Sequence, residues 1–341
     1  MSLTSRAIGA AERVPLPDVL IRTAIRQLCS RTAARFASAD AQGDASFARE
    51  MADRAIAEHT GDANAQHYEV PAAFFGRVLG PNRKYSSCFY RSAASTLQEA
   101  EEEALRQTVD HADLADGQSI LELGCGWGSL SLWMARRFPN AKIVAVSNSH
   151  SQRMHIQGEG AARGLTNLSV VTADMNGFDP RRQFDRIVSV EMFEHMMNWR
   201  ELLGRVRSWL AADGRFFMHV FTHRTGSYLF DRNDKEDWIA QHFFTGGVMP
   251  SHHLIREYAD LFEVEKEWRW SGEHYQRTAL GWLSNFDSHR AEIEGVLRKV
   301  YGEDTALWMR RWRWFFLATA GLFGYAGGSE WGVSHYRMKA A

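Results

Sequence analysis

Two carboxylates and one imidazole lie close together in the segment Val190-Glu-Met-Phe-Glu-His195. Glu191, Glu194 and His195 carry groups that exchange protons near neutral pH when their surroundings shift their pKa values. Crowding them into one short segment is expected to produce such shifts. The segment is therefore typical of general acid–base chemistry on a substrate.

A second chemical feature is the segment Ile120-Leu-Glu-Leu-Gly-Cys-Gly-Trp-Gly128, where an apolar stretch ends in three glycines spaced two apart. Gly124, Gly126 and Gly128 let the backbone turn sharply and let a ligand lie against the main chain. A helix predicted over 129–138 then presents its free N–H groups to that ligand. This pattern is typical of a nucleotide-like cofactor bound at the carboxyl ends of parallel strands.

Strands and helices must alternate to bring both features to one edge of a sheet. Strands are predicted at 119–123, 142–147, 168–172, 184–190, 215–221, 262–270 and 330–338. Helices are predicted at 97–112, 129–138, 149–163 and 199–210. Strand, helix and strand at this interval predict a parallel, doubly wound α/β sheet. The acid–imidazole cluster then follows the fourth strand at the edge that carries the glycine loop.

The sequence pattern divides the chain into three predicted parts. Residues 1–95 form a helical N-terminal extension that covers the cofactor, and residues 96–222 form the cofactor-binding core. Residues 223–341 combine lid and substrate-binding insertions with the last strands of the core sheet. Insertions after the fifth strand predict a substrate pocket that they roof.

Composition excludes several functional classes. The 341 residues carry a formal net charge of −1, which gives no general attraction to nucleic acid or to anionic lipid. Three scattered cysteines form neither a disulfide framework nor a zinc site. No apolar N-terminal segment predicts secretion, and the longest apolar run is too short to span a membrane. We therefore expect a cytoplasmic protein without a nucleic-acid partner.

The spacing of the glycines argues against a nicotinamide dinucleotide. A dinucleotide fingerprint has its third glycine three residues after the second, and an acidic residue at the end of the second strand. Here Gly128 comes two residues after Gly126, and the second strand ends in Ser147-Asn-Ser149. Both observations point to another cofactor.

Segments spread over about residues 65–340 resemble a known enzyme family. They are His67-Tyr-Glu-Val-Pro71, Tyr85-Ser-Ser-Cys88, the glycine loop, Ser147-Asn-Ser-His-Ser-Gln152, Val190-Glu-Met-Phe-Glu-His195, Thr245-Gly-Gly-Val-Met-Pro-Ser251, His274-Tyr-Gln-Arg-Thr278 and Trp282. The glycine loop resembles that of class I S-adenosylmethionine (SAM)-dependent methyltransferases. The whole set resembles the cyclopropane-fatty-acid synthase superfamily and its plant relatives, the coclaurine N-methyltransferases. The resemblance implies a Rossmann-like, seven-stranded methyltransferase sheet, with SAM as the cofactor and S-adenosylhomocysteine as its product.

The resemblance also implies which residues bind the cofactor. Tyr85 and Ser86 are implied to close over its methionine part. Gly124, Gly126 and Gly128 are implied to line its carboxylate and ribose side. Asn148 and Gln152 are implied for the ribose and adenine region. Asp174, beside Met175, is implied to face the adenine amino group, and Glu191 is implied to close the site. The chemistry agrees, because a carboxylate accepts from an amino group and an aromatic face suits a sulfonium cation.

Several of these side chains have a structural alternative. Asp174 is also suited to cap a following helix, and Asn148 and Gln152 are suited to begin one. Tyr85 is also suited to a place in the core.

The resembling N-methyltransferases imply that Glu194 and His195 form the acid–base pair. Glu69 is the candidate that attracts an ammonium substrate. Methyl transfer from a sulfonium is an in-line displacement, and an amine must lose its proton before it attacks. The structural alternative is that Glu194 caps a loop while His195 packs. No metal is expected, because the other histidines have no standard ligand spacing.

Two acceptor classes stay open, and a non-catalytic SAM-binding protein is a third interpretation. A small aromatic or alkaloid-like amine is favoured, because 270–278 and 323–331 look more like the plant N-methyltransferases. The alternative is an unsaturated phospholipid acyl chain. A homodimer is left open.

The lipid enzymes of the family resemble this chain at the residues that help them hold a bicarbonate base. These are Tyr85, Ser86, Cys88, Glu194, His195 and His219. The chain departs from them at Leu283, where they carry a tyrosine. This departure argues against bicarbonate as a cofactor.

Overall fold

A mixed β-sheet runs through the residues that the computed structural model describes, which are 9, 11–37, 41–58, 70–234 and 237–341, without the side chains of 41 and 42. Its strands are β1 (Ser119–Leu123), β2 (Lys142–Ser147), β3 (Leu168–Thr172), β4 (Phe184–Val190), β5 (Leu210–His223), β8 (Phe262–Ser271) and β9 (Trp331–Ala340). A separate two-stranded ribbon is formed by β6 (Tyr228–Leu229) and β7 (Val248–Met249). The sheet order is β3-β2-β1-β4-β5-β9-β8.

The α-helices occupy both faces of the sheet. They are α1 (Asp18–Phe36), α2 (Ala41–Ala52), α3 (Ala72–Val78), α4 (Leu97–Ala112), α5 (Ser129–Arg137), α6 (His150–Ala162), α7 (Trp199–Ser208), α8 (Trp238–His242), α9 (Gly272–Ser288), α10 (Arg290–Tyr301) and α11 (Thr305–Phe323). A 3₁₀ turn spans Phe193–His195 directly after β4.

Burial on both faces explains why the central strands are apolar runs. β1 is buried from Ile120 to Leu123 and pairs in parallel with β2 and β4. Apolar residues of α4 and α5 pack against one face of the sheet, and those of α7 pack against the other. Parallel sheets need this double cover, so the doubly wound α/β prediction is confirmed.

The predicted bounds of β1 to β4 match the structure residue for residue. The prediction of parallel pairing holds for β1 to β5, but β9 and β8 pair antiparallel at the far edge. β9 lies between β5 and β8, so the last strand of the chain is an interior strand. Interior pairing leaves β9 mainly buried, whereas an edge position would leave backbone groups open.

An aromatic cluster joins the C-terminal helices to α3 and to the glycine loop. The ring of Phe74 in α3 lies 4.6 Å from that of Trp312 in α11, centroid to centroid. The ring of Phe75 lies 5.0 Å from that of Trp127 in the loop. Aromatic burial of this kind carries much of the packing energy between helices. Within the described residues, no helix combines the length and the apolar character that membrane crossing requires.

The buried carboxyl group of Glu122 gives the fold a pH dependence. Glu122 lies on β1 and accepts a hydrogen bond from Ser131 Oγ at 2.5 Å. Burial raises the pKa of Glu122 to about 8. The folded protein therefore holds this carboxyl protonated at neutral pH, whereas in the unfolded chain it ionises near pH ~4.3.

Folding thus takes up a proton at Glu122, and its contribution to stability is lost as the pH rises from ~4.3 towards 8. The quantity compared is the free energy of unfolding of the native protein minus that of Glu122→Gln. We expect this difference to decrease by about 1.4 kcal/mol per pH unit as the pH rises from about 5 to 7. Urea denaturation of both proteins over this range measures the difference. Parallel pH curves would show that Glu122 is ionised in the fold.

Candidate active site

A large cavity opens where the parallel strands end. Its wall includes residues that directly follow β1, β2, β3 and β4, and it contains about 1810 Å³ of empty space with its open mouth included. The cavity therefore lies where open α/β sheets bind their ligands, outside the carboxyl ends of the strands.

The glycine loop forms one wall of this cavity, and its three glycines serve different purposes. All have a left-handed φ, between 50° and 81°. A Cβ at Gly124 would lie 2.6 Å from Met192, and a Cβ at Gly128 would lie 2.6 Å from Ile156. A Cβ at Gly126 would meet nothing within 4 Å. Gly124 and Gly128 are thus required by packing, whereas Gly126 borders the space that a ligand would fill.

Unsatisfied polar atoms surround the loop. Trp127 Nε1, Ser129 Oγ and Gln152 Nε2 are buried without a hydrogen-bond partner among the described residues, and all three residues line the cavity. Buried polar atoms are normally bonded. This end of the cavity therefore fits a polar ligand that supplies the missing partners, as the adenosine and amino-acid groups of SAM would.

The segment after β2 contributes Asn148 and Gln152 to the same wall. Gln152 Oε1 accepts from Ser147 Oγ at 2.6 Å, which holds the amide in place. The cap of α6 is Ser149, whose Oγ accepts from the N–H of Gln152 at 3.3 Å. Gln152 lies in the first turn of α6, as its structural alternative expects, and it also lines the cavity, whereas Asn148 precedes the cap.

The segment after β3 brings Asp174 and Met175 to the cavity. Asp174 is exposed, and its Oδ1 accepts from the N–H of Asn176 at 2.8 Å within a turn. No α-helix begins at this turn in the described chain, so Asp174 caps none. A carboxylate at this place in the cavity wall can accept from an amino group of a bound ligand.

Tyr85 and Ser86 line the cavity from the segment between α3 and α4. The ring of Tyr85 lies 5.0 Å from that of Phe75 and 5.5 Å from that of Trp282, so it is packed as well as exposed to the cavity. Lys84, fully buried, donates to Ser86 Oγ and, at 2.6 Å, to the carbonyl oxygen of Ser87. The lysine therefore holds this segment in its course over the site.

Glu191 is the most constrained carboxylate in the wall. Its backbone has φ 47°, a left-handed conformation that non-glycine residues rarely adopt. Its Oε1 accepts from the N–H of Ser87 at 2.9 Å and lies 3.1 Å from His219 Nε2. Its Oε2 accepts from the hydroxyl of Tyr275 at 2.7 Å. Three separate parts of the chain thus fix this one side chain.

Burial raises the pKa of Glu191, while the charge of Lys84 and the hydrogen bonds from Ser87 and Tyr275 act in the opposite direction. Burial and the charge of Glu191 raise the pKa of Glu194 well above its usual range. Glu194 Oε1 accepts from the N–H of Phe221 at 2.7 Å. Because Glu191 has more donors, it is the better placed of the two to carry the negative charge.

The predicted acid–base cluster is divided between the cavity and the core. His195 is half-buried, lines the cavity and has its ring 4.5 Å from that of Phe244. Glu194 is fully buried behind the wall. Glu69, the fourth residue predicted to be catalytic, lies outside the described residues.

Gly128, the last glycine of the loop, is the N-cap of α5 beside the cavity.

Sequence reasoning missed the residues that hold Glu191 in place. Ser87, Lys84 and Tyr275 had no assigned role, although Tyr275 lies in the matched segment His274-Tyr-Gln-Arg-Thr278. A buried carboxylate needs donors, so a tyrosine in a matched segment was the available signal.

Aromatic side chains form much of the remaining cavity wall. They are Phe221, Phe230, Phe244, Tyr275, Trp282, Phe315 and Phe323. Flat apolar walls beside the carboxylate of Glu191 suit a flat organic cation. No cluster of three or more histidine, cysteine, aspartate and glutamate side chains suited to a metal ion occurs in the described parts of the chain.

A doubly wound sheet with a glycine loop after β1 and a polar cavity beside that loop is the arrangement in which α/β folds bind nucleotide-like cofactors. The family model "Mycolic acid cyclopropane synthetase" matches residues 57–325. The chain belongs to this family of SAM-dependent methyltransferases.

Relatives with curated names fall into two groups. (S)-coclaurine N-methyltransferase of Thalictrum flavum subsp. glaucum is 35% identical over 289 residues, which cover 83% of this chain and 80% of that one. Cyclopropane-fatty-acyl-phospholipid synthase of Escherichia coli K12 is 31% identical over 230 residues, which cover 67% of this chain and 57% of that one.

A solved structure agrees with the first group. The crystal structure of coclaurine N-methyltransferase bound to N-methylheliamine and SAH (S-adenosylhomocysteine) has a TM-score of 0.91 and 31% identity. The match covers 95% of this chain and 96% of that one.

The open space at Gly126 generates a test of cofactor binding. Gly126→Ala places a methyl group in that space, and we expect at least a tenfold loss of SAM affinity by calorimetry, since each ~1.4 kcal/mol is a factor of ten. Gly117→Ala is the matched control, because Gly117 also has a left-handed φ, 84°, with nothing within 4 Å. Both variants carry a backbone strain of about 1–2 kcal/mol. Equal SAM affinity in the two variants would exclude Gly126 from the binding site.

Proposed function

We propose that this protein transfers the methyl group of SAM to the nitrogen of a small, aromatic, alkaloid-like amine. The observation that carries this proposal is the carboxylate of Glu191, held by the donors of Ser87 and Tyr275 and by His219 within an aromatic cavity. An ammonium group is the natural partner of such a carboxylate. The names of the coclaurine N-methyltransferase relatives specify methylation of a nitrogen atom, which supports an amine as the acceptor here.

The chain's own residues prepare the acceptor. An amine enters as an ammonium ion, and its N–H bond must break so that the nitrogen lone pair is free. Glu191 or His195 takes that proton as a new O–H or N–H bond. Bound SAM supplies the electrophilic methyl group on a sulfonium sulfur. The aromatic wall orients the flat acceptor and excludes water.

We assign the cofactor to the polar half of the cavity. Gly126, Gln152 and Asp174 are proposed for its amino-acid, ribose and adenine groups, because they border the unsatisfied atoms and the open space. The other residues proposed for this half are Tyr85, Ser86, Gly124, Gly128, Asn148 and Met175. Glu69 and Glu194 stay predictions as catalytic residues, with Glu194 acting from behind the wall.

A bicarbonate base is not part of the proposal. His219 Nε2 is directed at Glu191, and Cys88 Sγ lies 3.8 Å from the carbonyl oxygen of Ser86. Leu283 is buried and has no group to bind an anion. These contacts favour direct proton acceptance by the chain.

We also propose that the chain divides after residues 95 and 222. The central part is the cofactor-binding core, and the two outer parts enclose the ligands. A homodimer and a cytoplasmic location stay predictions.

The acceptor class is tested by labelled-methyl transfer. We expect label from SAM in secondary benzylisoquinoline amines and none in vesicles of unsaturated phosphatidylethanolamine, because the wall suits a flat cation. The matched control is the same ring system with oxygen in place of nitrogen. Label in phospholipid alone would overturn the amine assignment.

The role of His195 is tested by His195→Ala. We expect turnover at saturating acceptor to fall about 10²-fold or more, a usual size for loss of a general base. SAM affinity is expected to change less than about threefold, since this is under ~1 kcal/mol. His253→Ala is the control, because His253 is exposed and outside the cavity wall. Unchanged turnover in His195→Ala would leave Glu191 as the proton acceptor.

A further inference from the structure

A row of histidines leads away from Glu191 on the side opposite to the cavity. His219 Nε2 lies 3.1 Å from Glu191 Oε1, and His219 Nδ1 lies 2.8 Å from His335 Nε2. His335 Nδ1 lies 2.8 Å from His111 Nδ1. These four side chains, here called the histidine row, form one unbroken series of hydrogen bonds.

The sheet register builds this row. Val190 pairs with His219 across β4 and β5, and His219 pairs with His335 across β5 and β9. Directly paired residues point their side chains to the same face. Glu191 follows Val190, and its N–H donates to the carbonyl oxygen of His219 at 2.9 Å. The row is therefore fixed by backbone pairing.

The inner rings are sealed and the last one reaches the surface. His219 and His335 are fully buried, and the ring of Trp270 lies 4.3 Å from that of His335. His111 is half-buried in the last turn of α4, and its ring stacks at 3.9 Å on Trp268. The row thus connects a buried carboxylate to solvent.

Each ring of the row is neutral. Burial lowers the pKa of His219 and of His335 well below the usual range, and lowers the pKa of His111 to about 4. A neutral imidazole has one N–H donor and one acceptor nitrogen. The charged or titratable groups that face the row are Lys84, Glu194 and Tyr275 at the inner end and Arg106, Asp110 and Arg337 at the outer end.

We infer that the histidine row is a proton relay, which carries the proton removed from an ammonium acceptor out of the filled active site. The inference rests on the proposed function, because it needs an acceptor that arrives protonated. When donor and acceptor fill the cavity, water is excluded from Glu191. The row then offers that carboxyl a separate path to solvent.

The relay step balances without an added reagent. From protonated Glu191, the O–H proton moves to His219 Nε2 as the Nδ1 proton of His219 moves to His335 Nε2. The Nδ1 proton of His335 then moves to His111, whose Nε2 proton passes to water. Glu191 regains its carboxylate, water becomes hydronium, and every ring stays neutral with its proton on the other nitrogen. After the product leaves and water re-enters the cavity, the same shifts run in reverse. His111 takes a proton from water, Glu191 regains its proton and passes it to the water in the cavity, and the rings are back in their first tautomers for the next turnover.

His335→Gln tests the relay, because glutamine keeps an amide near the position of Nε2 but cannot pass a proton between two ring nitrogens. Two methyl acceptors of the same shape are compared at about pH 7.5. The first is a secondary alkylamine, whose pKa of about 10 is close to that of lysine, so that it is protonated. The second is its difluoro analogue, which is neutral at this pH. We expect kcat of the variant to fall about tenfold or more with the alkylamine, and less than about twofold with the analogue. SAM affinity is expected to be unchanged.

His252→Gln is the matched control, because His252 is half-buried, bonds Ser334 at 2.8 Å and lies outside the row. His111→Ala supplies a second variant at the surface end. We expect the same acceptor-dependent loss there, with recovery by added imidazole, which can enter the space of the missing ring.

The outcomes separate the relay from the proposed function. An equal loss with both acceptors would show a structural role for His335 and would overturn the relay. Full activity of both His335→Gln and His111→Ala with the alkylamine would also overturn the relay. If the native protein methylates neither amine, it is the proposed function that fails, since the relay test then has no activity to compare.

Discussion

A carboxylate buried at the end of a parallel strand is the constraint on which the site depends. Removing the charge of Glu191 from water is costly, and the fold compensates with donors from Ser87 and Tyr275, with the contact to His219 and with the charge of Lys84. These groups come from the segment before α4, from α9 and from β5. Satisfying one side chain therefore fixes how three distant parts of the chain meet.

The same constraint separates the cavity into two chemical environments. On one side, the glycine loop and the segments after β2 and β3 present unsatisfied polar atoms and open space at Gly126. On the other side, aromatic rings of β5, α9 and α11 form an apolar wall. Glu191 and His195 belong to the wall of this shared cavity. A charged donor and a flat cationic acceptor are thus accommodated by different surfaces of one space.

Local patterns predicted much of this structure. The bounds of β1 to β4 and of α4 follow from apolar runs and helical periodicity, which are properties of neighbouring residues. The glycine spacing predicted the loop and excluded a dinucleotide. Most of the residues predicted to bind the cofactor lie in the cavity wall. Their assignment to particular groups of SAM stays a prediction.

The sequence by itself determined the class of this protein, because a strand, a glycine loop and a following helix are local and dictate where a nucleotide-like ligand lies. Only the tertiary structure decided that Glu194 is enclosed behind the wall while His195 reaches the cavity. Only it decided that β9 lies between β5 and β8 and brings His335 against His219. Strand order and antiparallel register depend on pairing between residues far apart in the chain, and no local pattern encodes that pairing.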